Sequence, residues 1–276
     1  MALRINYNLA ASAAQRGLAA SQDSYAKQAE HLSSGLRINR ASDDAAGLAV
    51  SEKLKNQVRG LNQAQRNAQD SISLIQTAEG ALTETHSLLA RMRELAVQSS
   101  NDTLTISDRA NLNAEFTQLY AEIERIGTAT QFNTAVLLNG SGTATGMTFQ
   151  IGANHGDTLV FTASSARATS LEVTMSALTV TAQTISSGAI TSLDSAINQV
   201  SSERAKYGAV QNRLESTIRS LAVASENTSA ANSRIADADI AQSMSEMVRS
   251  QILQQAGISV LAQANQAPSL VLQLLK

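Results

Sequence analysis

The chain contains three histidines, His31, His86 and His155, and no cysteine. Imidazole and thiolate side chains are the usual transition-metal ligands, bases and nucleophiles near neutral pH. Here the three imidazoles lie far apart, in different predicted elements. No H-E-x-x-H, G-x-S-x-G or G-x-x-x-x-G-K motif occurs. The adjacent carboxylates Asp43 and Asp44 would suit a divalent cation or acid–base work. However, they follow Ser42 and precede an Ala-rich helical segment, where carboxylate oxygens suit a helix N-terminus, and capping is the reading adopted. Sequons at Asn101, Asn139 and Asn227 are three-residue matches, and Asn227 falls within a predicted helix, so they are read as chance. The expectation is a protein that is not an enzyme and has no cofactor and no metal.

With no reaction centre to position, the elements themselves carry the information. Leu54, Leu61, Ala68, Ile75, Leu82, Leu89 and Ala96 recur every seventh residue. That period keeps one apolar stripe facing a partner helix. The second seam position, four residues on, is mixed. Val58 and Ile72 are apolar, whereas Gln65, Glu79, His86 and Arg93 are not. A single helix over 54–96 extends about 65 Å at 1.5 Å per residue, which predicts a rod. Leu112, Phe116, Leu119, Ile123 and Ile126 follow the alternating spacing of both seam positions. Ser107 and Asp108 are candidate starts for that helix, and Gly127 is a candidate stop. A third ladder holds Leu193, Val200, Tyr207, Leu214 and Leu221, flanked by Ile190, Ile197 and Ile218. Thr191 with Asp194 resembles a capping box at its start. Together these predict a mainly α fold, a long antiparallel helical coiled-coil bundle with a small β-hairpin region.

The β character falls within 139–192, which is rich in Gly, Ser and Thr. Met147, Phe149 and Ile151 alternate with polar residues, 152–157 reads as a turn, and Leu159 and Phe161 alternate again. Leu171, Val173 and Met175 repeat the pattern, so one or two hairpins are predicted. The two ends form a separate compartment. Leu18, Tyr25 and Leu32 recur every seventh residue, beside Ala11, Ala14 and Ala29. Ile252, Ala256, Val260 and the run SLVLQLLK are apolar and helical, and Pro268 is expected to bend or interrupt that helix. Alanine faces allow close approach but bury little area. An isolated pair of such helices is marginal, so the ends are expected to gain order from neighbouring molecules.

Composition supports this picture. The 276 residues are 43% hydrophobic but only 3% aromatic, with no tryptophan and one proline. A compact core of this length normally rests on large aromatic side chains, whereas Ala, Leu, Ile and Val suit long packed helices. A formal net charge of -2 argues against a nucleic-acid partner. No window reaches 18 consecutive apolar residues, so membrane insertion is not expected. Arg4, Asn6, Asn8 and Gln15 interrupt any signal-peptide core. That pattern fits a cytoplasmic chain or one exported without a cleaved signal peptide.

Two blocks are more specific than any heptad. LSSGLRINRASDDAAGLAVSEKL (Leu32–Leu54) and QILQQAGISVLAQANQAP (Gln251–Pro268) resemble the two signature ends of bacterial flagellin. RMRELAVQSSN (Arg91–Asn101), FQIGAN (Phe149–Asn154) and YGAVQNR (Tyr207–Arg213) resemble the same family, in order along nearly the whole chain. The resemblance implies an extracellular filament subunit of the bacterial flagellum, a helical homopolymer of the chain with itself. Its inner domain, D0, would pair 1–43 with 236–276, using Leu18, Tyr25, Leu32, Ile252 and Val260 for packing. Its next layer, D1, would hold N-terminal helices over 44–138, a β-hairpin and exposed region over 139–187, and a C-terminal helix over 188–235. No large outer domain is expected. Arg37, Arg40, Asp43 and Asp44 in the linker would pair between subunits.

The implied partners are the filament cap and hook–filament junction proteins, a flagellin export chaperone, the flagellar type III export apparatus and host Toll-like receptor 5. The matching receptor-recognition positions are Arg91, Leu95 and Glu115, although Ala90 and Met92 depart from the commonest family residues. A hook–filament junction protein shares similar ends, but would diverge in the QILQQAG block. A coiled-coil signalling adaptor is the alternative from periodicity alone.

Overall fold

The structure, a computed structural model, describes residues 8–140, 146–171, 173 and 183–274. Met175, expected to close a second hairpin, lies outside them, as do Arg4 and Asn6. In chain order the elements are α1 (Leu9–Ser34), α2 (Ala45–Ser99), α3 (Ile106–Ala129), β1 (Gln131–Phe132), β2 (Ala135–Val136), β3 (Met147–Gln150), β4 (Thr158–Phe161), α4 (Gln183–Ala236) and α5 (Ile240–Leu274). They fall into two compact units. One holds Met1–Val58 with Asn227–Lys276, and the other holds Arg59–Glu226.

The 59–226 unit carries the larger core. Ala68, Ile75, Leu82, Leu89 and Ala96 on α2 are all buried, as the seven-residue ladder requires. Leu193, Val200, Tyr207 and Leu214 on α4 meet the same cluster. The second seam on α2 lies three residues beyond each ladder position rather than four. It is Ala64, Ser71, Ala78, Thr85, Met92 and Ser99, every one buried. Small polar members fit because their hydroxyls bond back into their own helix. Ser71 Oγ donates to Asn67 O at 2.7 Å, and Thr85 Oγ1 to Ala81 O at 3.0 Å. A buried hydroxyl so satisfied costs little.

Helix ends depart from the sequence expectations in three places. The N-cap of α3 is Thr105, in a capping box with Asp108 as its third helical residue, so Asp108 completes the cap and Ser107 does not form it. Gly127 does not stop α3, which continues to Ala129. It is buried because the Arg167 backbone crosses it; a Cβ there would meet Arg167 N at 3.2 Å and Cα at 3.1 Å. α4 starts at Gln183, which puts Thr191 and Asp194 inside the helix. Asp194 instead accepts from Arg93 Nε at 2.6 Å.

Two antiparallel hairpins are present among the described residues. β3 pairs with β4 in the register Met147↔Phe161, Phe149↔Leu159. Leu159 and Phe161 face the core while Thr158 and Val160 are exposed, the alternation expected of a half-buried strand. Phe161 stacks toward Tyr207 with ring centroids 4.9 Å apart, and toward Phe149 at 6.3 Å. The other hairpin, β1 with β2, turns on Asn133 (φ 47°) and Thr134 (φ 65°). Positive φ at both central residues is the primed turn of a two-residue hairpin. Leu171 and Val173 form no second long hairpin. They are buried in a turn, where Leu171 N donates to Arg167 O at 3.1 Å and Val173 N to Ala168 O at 3.0 Å.

Candidate functional site

The other unit joins α1, the links at 35–44 and 237–239, and α5. Gly35 ends α1 in the left-handed conformation (φ 71°), its N–H donating to His31 O, where glycine carries no Cβ penalty. The chain then pairs with its own distant link. Arg37 N donates to Ala236 O at 2.7 Å and Ala238 N to Gly35 O at 2.9 Å, flanking a Leu36↔Asp237 bridge.

The four linker residues are all engaged within the chain. Arg37 Nη2 donates to Ile235 O at 2.6 Å, a carbonyl in the last turn of α4. Such end carbonyls lack helical partners and attract cations. Arg40 pairs with Glu30 at 2.9 Å. Asp44 Oδ1 accepts from Gly47 N at 2.8 Å, and its own carbonyl accepts from Leu48 N at 2.9 Å, at the start of α2. Asp43 is the electrostatic hub. Lys27 Nζ lies 2.9 Å from one oxygen, and the other accepts from the Asn39 and Arg40 amides. The Lys27 hydrogen bond first, then the Arg40 amide, holds its carboxyl well below the usual carboxylate range. Nearby, His31 is buried with Nε2 3.8 Å from Asp43. His155 and His86 lie elsewhere. Among the described residues no group of three His, Cys, Asp or Glu is arranged to hold a metal, and no helix is long and apolar enough to cross a membrane.

The α1–α5 seam is built mainly from small and polar side chains. Ser243 and Ser250 are buried. Ser250 Oγ lies 3.1 Å from Ser24 Oγ, Gln254 Nε2 donates to Ser21 O at 3.2 Å, and Gln28 Nε2 to Glu246 Oε2 at 2.8 Å. Gly257 faces Leu18, where an added Cβ would meet Leu18 Cδ1 at 3.5 Å, an ordinary contact. Leu18, Tyr25 and Leu32 are half-buried. Ile252 and Val260, expected in the packing of the two ends, lie largely in the open. They are 60% and 55% exposed, because small residues occupy the α1-facing side of α5. Met244, Val248, Leu253 and Ile258 are exposed with them. α5 also runs through Pro268 to Leu274, so the proline does not end it.

Of the three residues expected at a recognition surface, two come together. Arg91 Nε donates to Glu115 Oε1 at 2.9 Å and Nη1 to Glu94 Oε2 at 2.9 Å, on an exposed surface of α2 and α3. Glu115, then Glu94, raises the already high Arg91 pKa. Leu95 departs from them. It is 0% exposed and belongs to the core; four residues on from Arg91 it lies about 40° around α2, at the buried edge of the same face.

Comparisons with known proteins follow the same chain order. A model of the bacterial flagellin N-terminal helical region matches residues 5–143, and one of the C-terminal helical region matches 190–275. The flagellin of Halalkalibacterium halodurans is 52% identical over 272 residues, covering 99% of both chains. The flagellar filament 33 kDa core protein of Treponema phagedenis is 46% identical, with 99% of each chain covered. The crystal structure of Bacillus cereus flagellin is 34% identical, with a TM-score of 0.51 over 56% of this chain and 88% of that one.

Proposed function

The chain belongs to the bacterial flagellin family, a family of filament subunits rather than enzymes, and from that premise we propose that its terminal helices become ordered by packing against other copies as the filament grows. The observation that carries this is the distribution of residues on α5. Its α1-facing side holds Ser243, Ser250 and Gly257, while Met244, Val248, Ile252, Leu253, Ile258 and Val260 remain exposed. A seam of serine, glutamine and glycine contributes little apolar burial against the entropy of ordering two helices. The exposed side chains supply that burial once neighbours cover them, and heterologous, non-closing contacts then propagate a helical tube. Hydrogen exchange on monomer and polymer tests the reading. Amides of 9–34 and 240–266 should exchange freely in the monomer and be protected in the filament; equal protection in both states would overturn it.

The same reading supplies the other partners. Loose ends suit passage through the flagellar type III export apparatus, with a flagellin export chaperone on the C-terminal segment until delivery. The filament cap and hook–filament junction proteins then meet the growing polymer through the surfaces that copies use. Recognition of the monomer by host Toll-like receptor 5 centres on Arg91 and Glu115, with Glu94 beside them. Exposed arginine is a frequent interface anchor. Arg91→Ala should lower receptor signalling by purified monomer about tenfold or more. Unchanged potency would remove Arg91 from the recognised surface.

A further inference from the structure

Pro268 lies within α5, which runs from Ile240 to Leu274. In an α-helix each N–H donates to the carbonyl four residues earlier. Proline has no N–H, so residue 268 supplies no donor to Ala264 O. A backbone carbonyl left unpaired in partly buried surroundings is costly. The donor comes from the other end of the chain. Asn8 Nδ2 donates to Ala264 O at 2.8 Å. The same side chain caps α1, its Oδ1 accepting from Ala11 N at 3.0 Å. One amide thus starts α1 with its oxygen and completes α5 with its nitrogen.

We propose that Asn8 is a positioning residue for assembly: it engages the carbonyl that Pro268 frees and so sets the axial register of α1 on α5. The seam explains why register needs such a device. Ser243, Ser250, Gly257 and Ala264 stand seven residues apart along α5. Small residues facing a helix discriminate poorly between one position and the next two turns along. A single polar contact that only one register satisfies discriminates well, as a lone polar seam residue does in coiled coils. The residue type is also specific. Serine and aspartate cap helices as well as asparagine does. Among the good caps, only the amide combines an acceptor with two N–H donors on one side chain. The register set here aligns the exposed face of α5 with α1 before neighbours pack, so the inference rests on the assembly reading above. Amide protection in the wild-type filament tests that reading separately.

The experiment is a mutant cycle in the full chain, read as the critical concentration for seeded polymerisation. Asn8→Ser keeps a capping oxygen but loses the donor that reaches Ala264. It should raise the critical concentration about fivefold, the equivalent of one net hydrogen bond. Pro268→Ala restores the helical N–H, so that chain should polymerise, and adding Asn8→Ser to it should shift the critical concentration less than twofold. A loss of capping alone would act equally in both backgrounds, and that outcome overturns the proposal. So does an Asn8→Ser chain that assembles like wild type.

Discussion

Chains lacking residues 1–30, or residues 247–276, should form no filaments by electron microscopy yet keep strongly helical far-ultraviolet circular dichroism. The first deletion removes most of α1, and the second most of α5. Either leaves the other helix without its seam. The larger core is untouched, since its buried residues run from Ala68 to Leu214. On α5 the lost surface includes Val248, Ile252, Leu253, Ile258 and Val260, each between 44% and 60% exposed. Full burial of such a side chain contributes about 1.5–3 kcal/mol, so the unrealised half of five is on the order of 5 kcal/mol per subunit. Removing that amount raises a critical concentration by more than a thousandfold, at about 1.4 kcal/mol per factor of ten. Normal filaments from either truncation would refute the role given to the ends. Loss of helical signal from the remaining chain would show that the 59–226 unit is not independent of them.

Tyr207→Ala should destabilise the monomer by about 3–5 kcal/mol, the range for emptying a buried aromatic site. Urea unfolding followed by circular dichroism measures it. Tyr207 is 1% exposed and its ring meets Phe161 at 4.9 Å. In a chain so poor in aromatics this is the largest fully buried side chain among the described residues, and small neighbours do not collapse into the space it leaves. Tyr207→Phe should behave oppositely. The Tyr207 hydroxyl is buried without a hydrogen-bond partner among the described residues, and burial, then Glu203, raises its pKa well above that of a free phenol. Removing that hydroxyl relieves an uncompensated desolvation, so the phenylalanine chain should be at least as stable as wild type. A loss above about 1 kcal/mol on Tyr207→Phe would show that the hydroxyl is satisfied after all.

How far the sequence revealed these features depended on side-chain chemistry. The Leu61–Ala96 and Leu193–Leu221 ladders were legible because Leu, Ile and Val mark a buried stripe plainly. Their companion seam was not, because Ser71, Thr85 and Ser99 read as polar until their neighbours are known; the Ser71 and Thr85 hydroxyls are satisfied inside the helix. The seam of α5 escaped for the same reason, since serine and glycine carry no hydropathy signal. Ile252 and Val260 drew attention as apolar residues, yet being apolar does not say whether the same chain or another covers them. Leu95 was selected with Arg91 from a motif, but spacing alone does not show where the exposed face ends: one turn on and about 40° round, Leu95 is already inside the core. Gly127 looked like a stop, whereas its missing Cβ admits the backbone of Arg167. The β1–β2 turn was hidden because Thr134 is an uncommon residue at positive φ.

The splice at Leu36 and Asp237 has a mechanical meaning. Each link alone, 35–44 with its turn or the three residues 237–239, is non-helical chain between helices. Cross-bonded by the Arg37–Ala236 and Ala238–Gly35 hydrogen bonds, the two become a double strand that shares any pull along its length. Antiparallel bonds stand across the strands, so they hold the two links side by side and resist their bending or sliding apart. The guanidinium of Arg37, fastened to Ile235 O, adds a third tie at the same level. In a filament subunit each link between helices is thereby braced by the other, and neither stands alone.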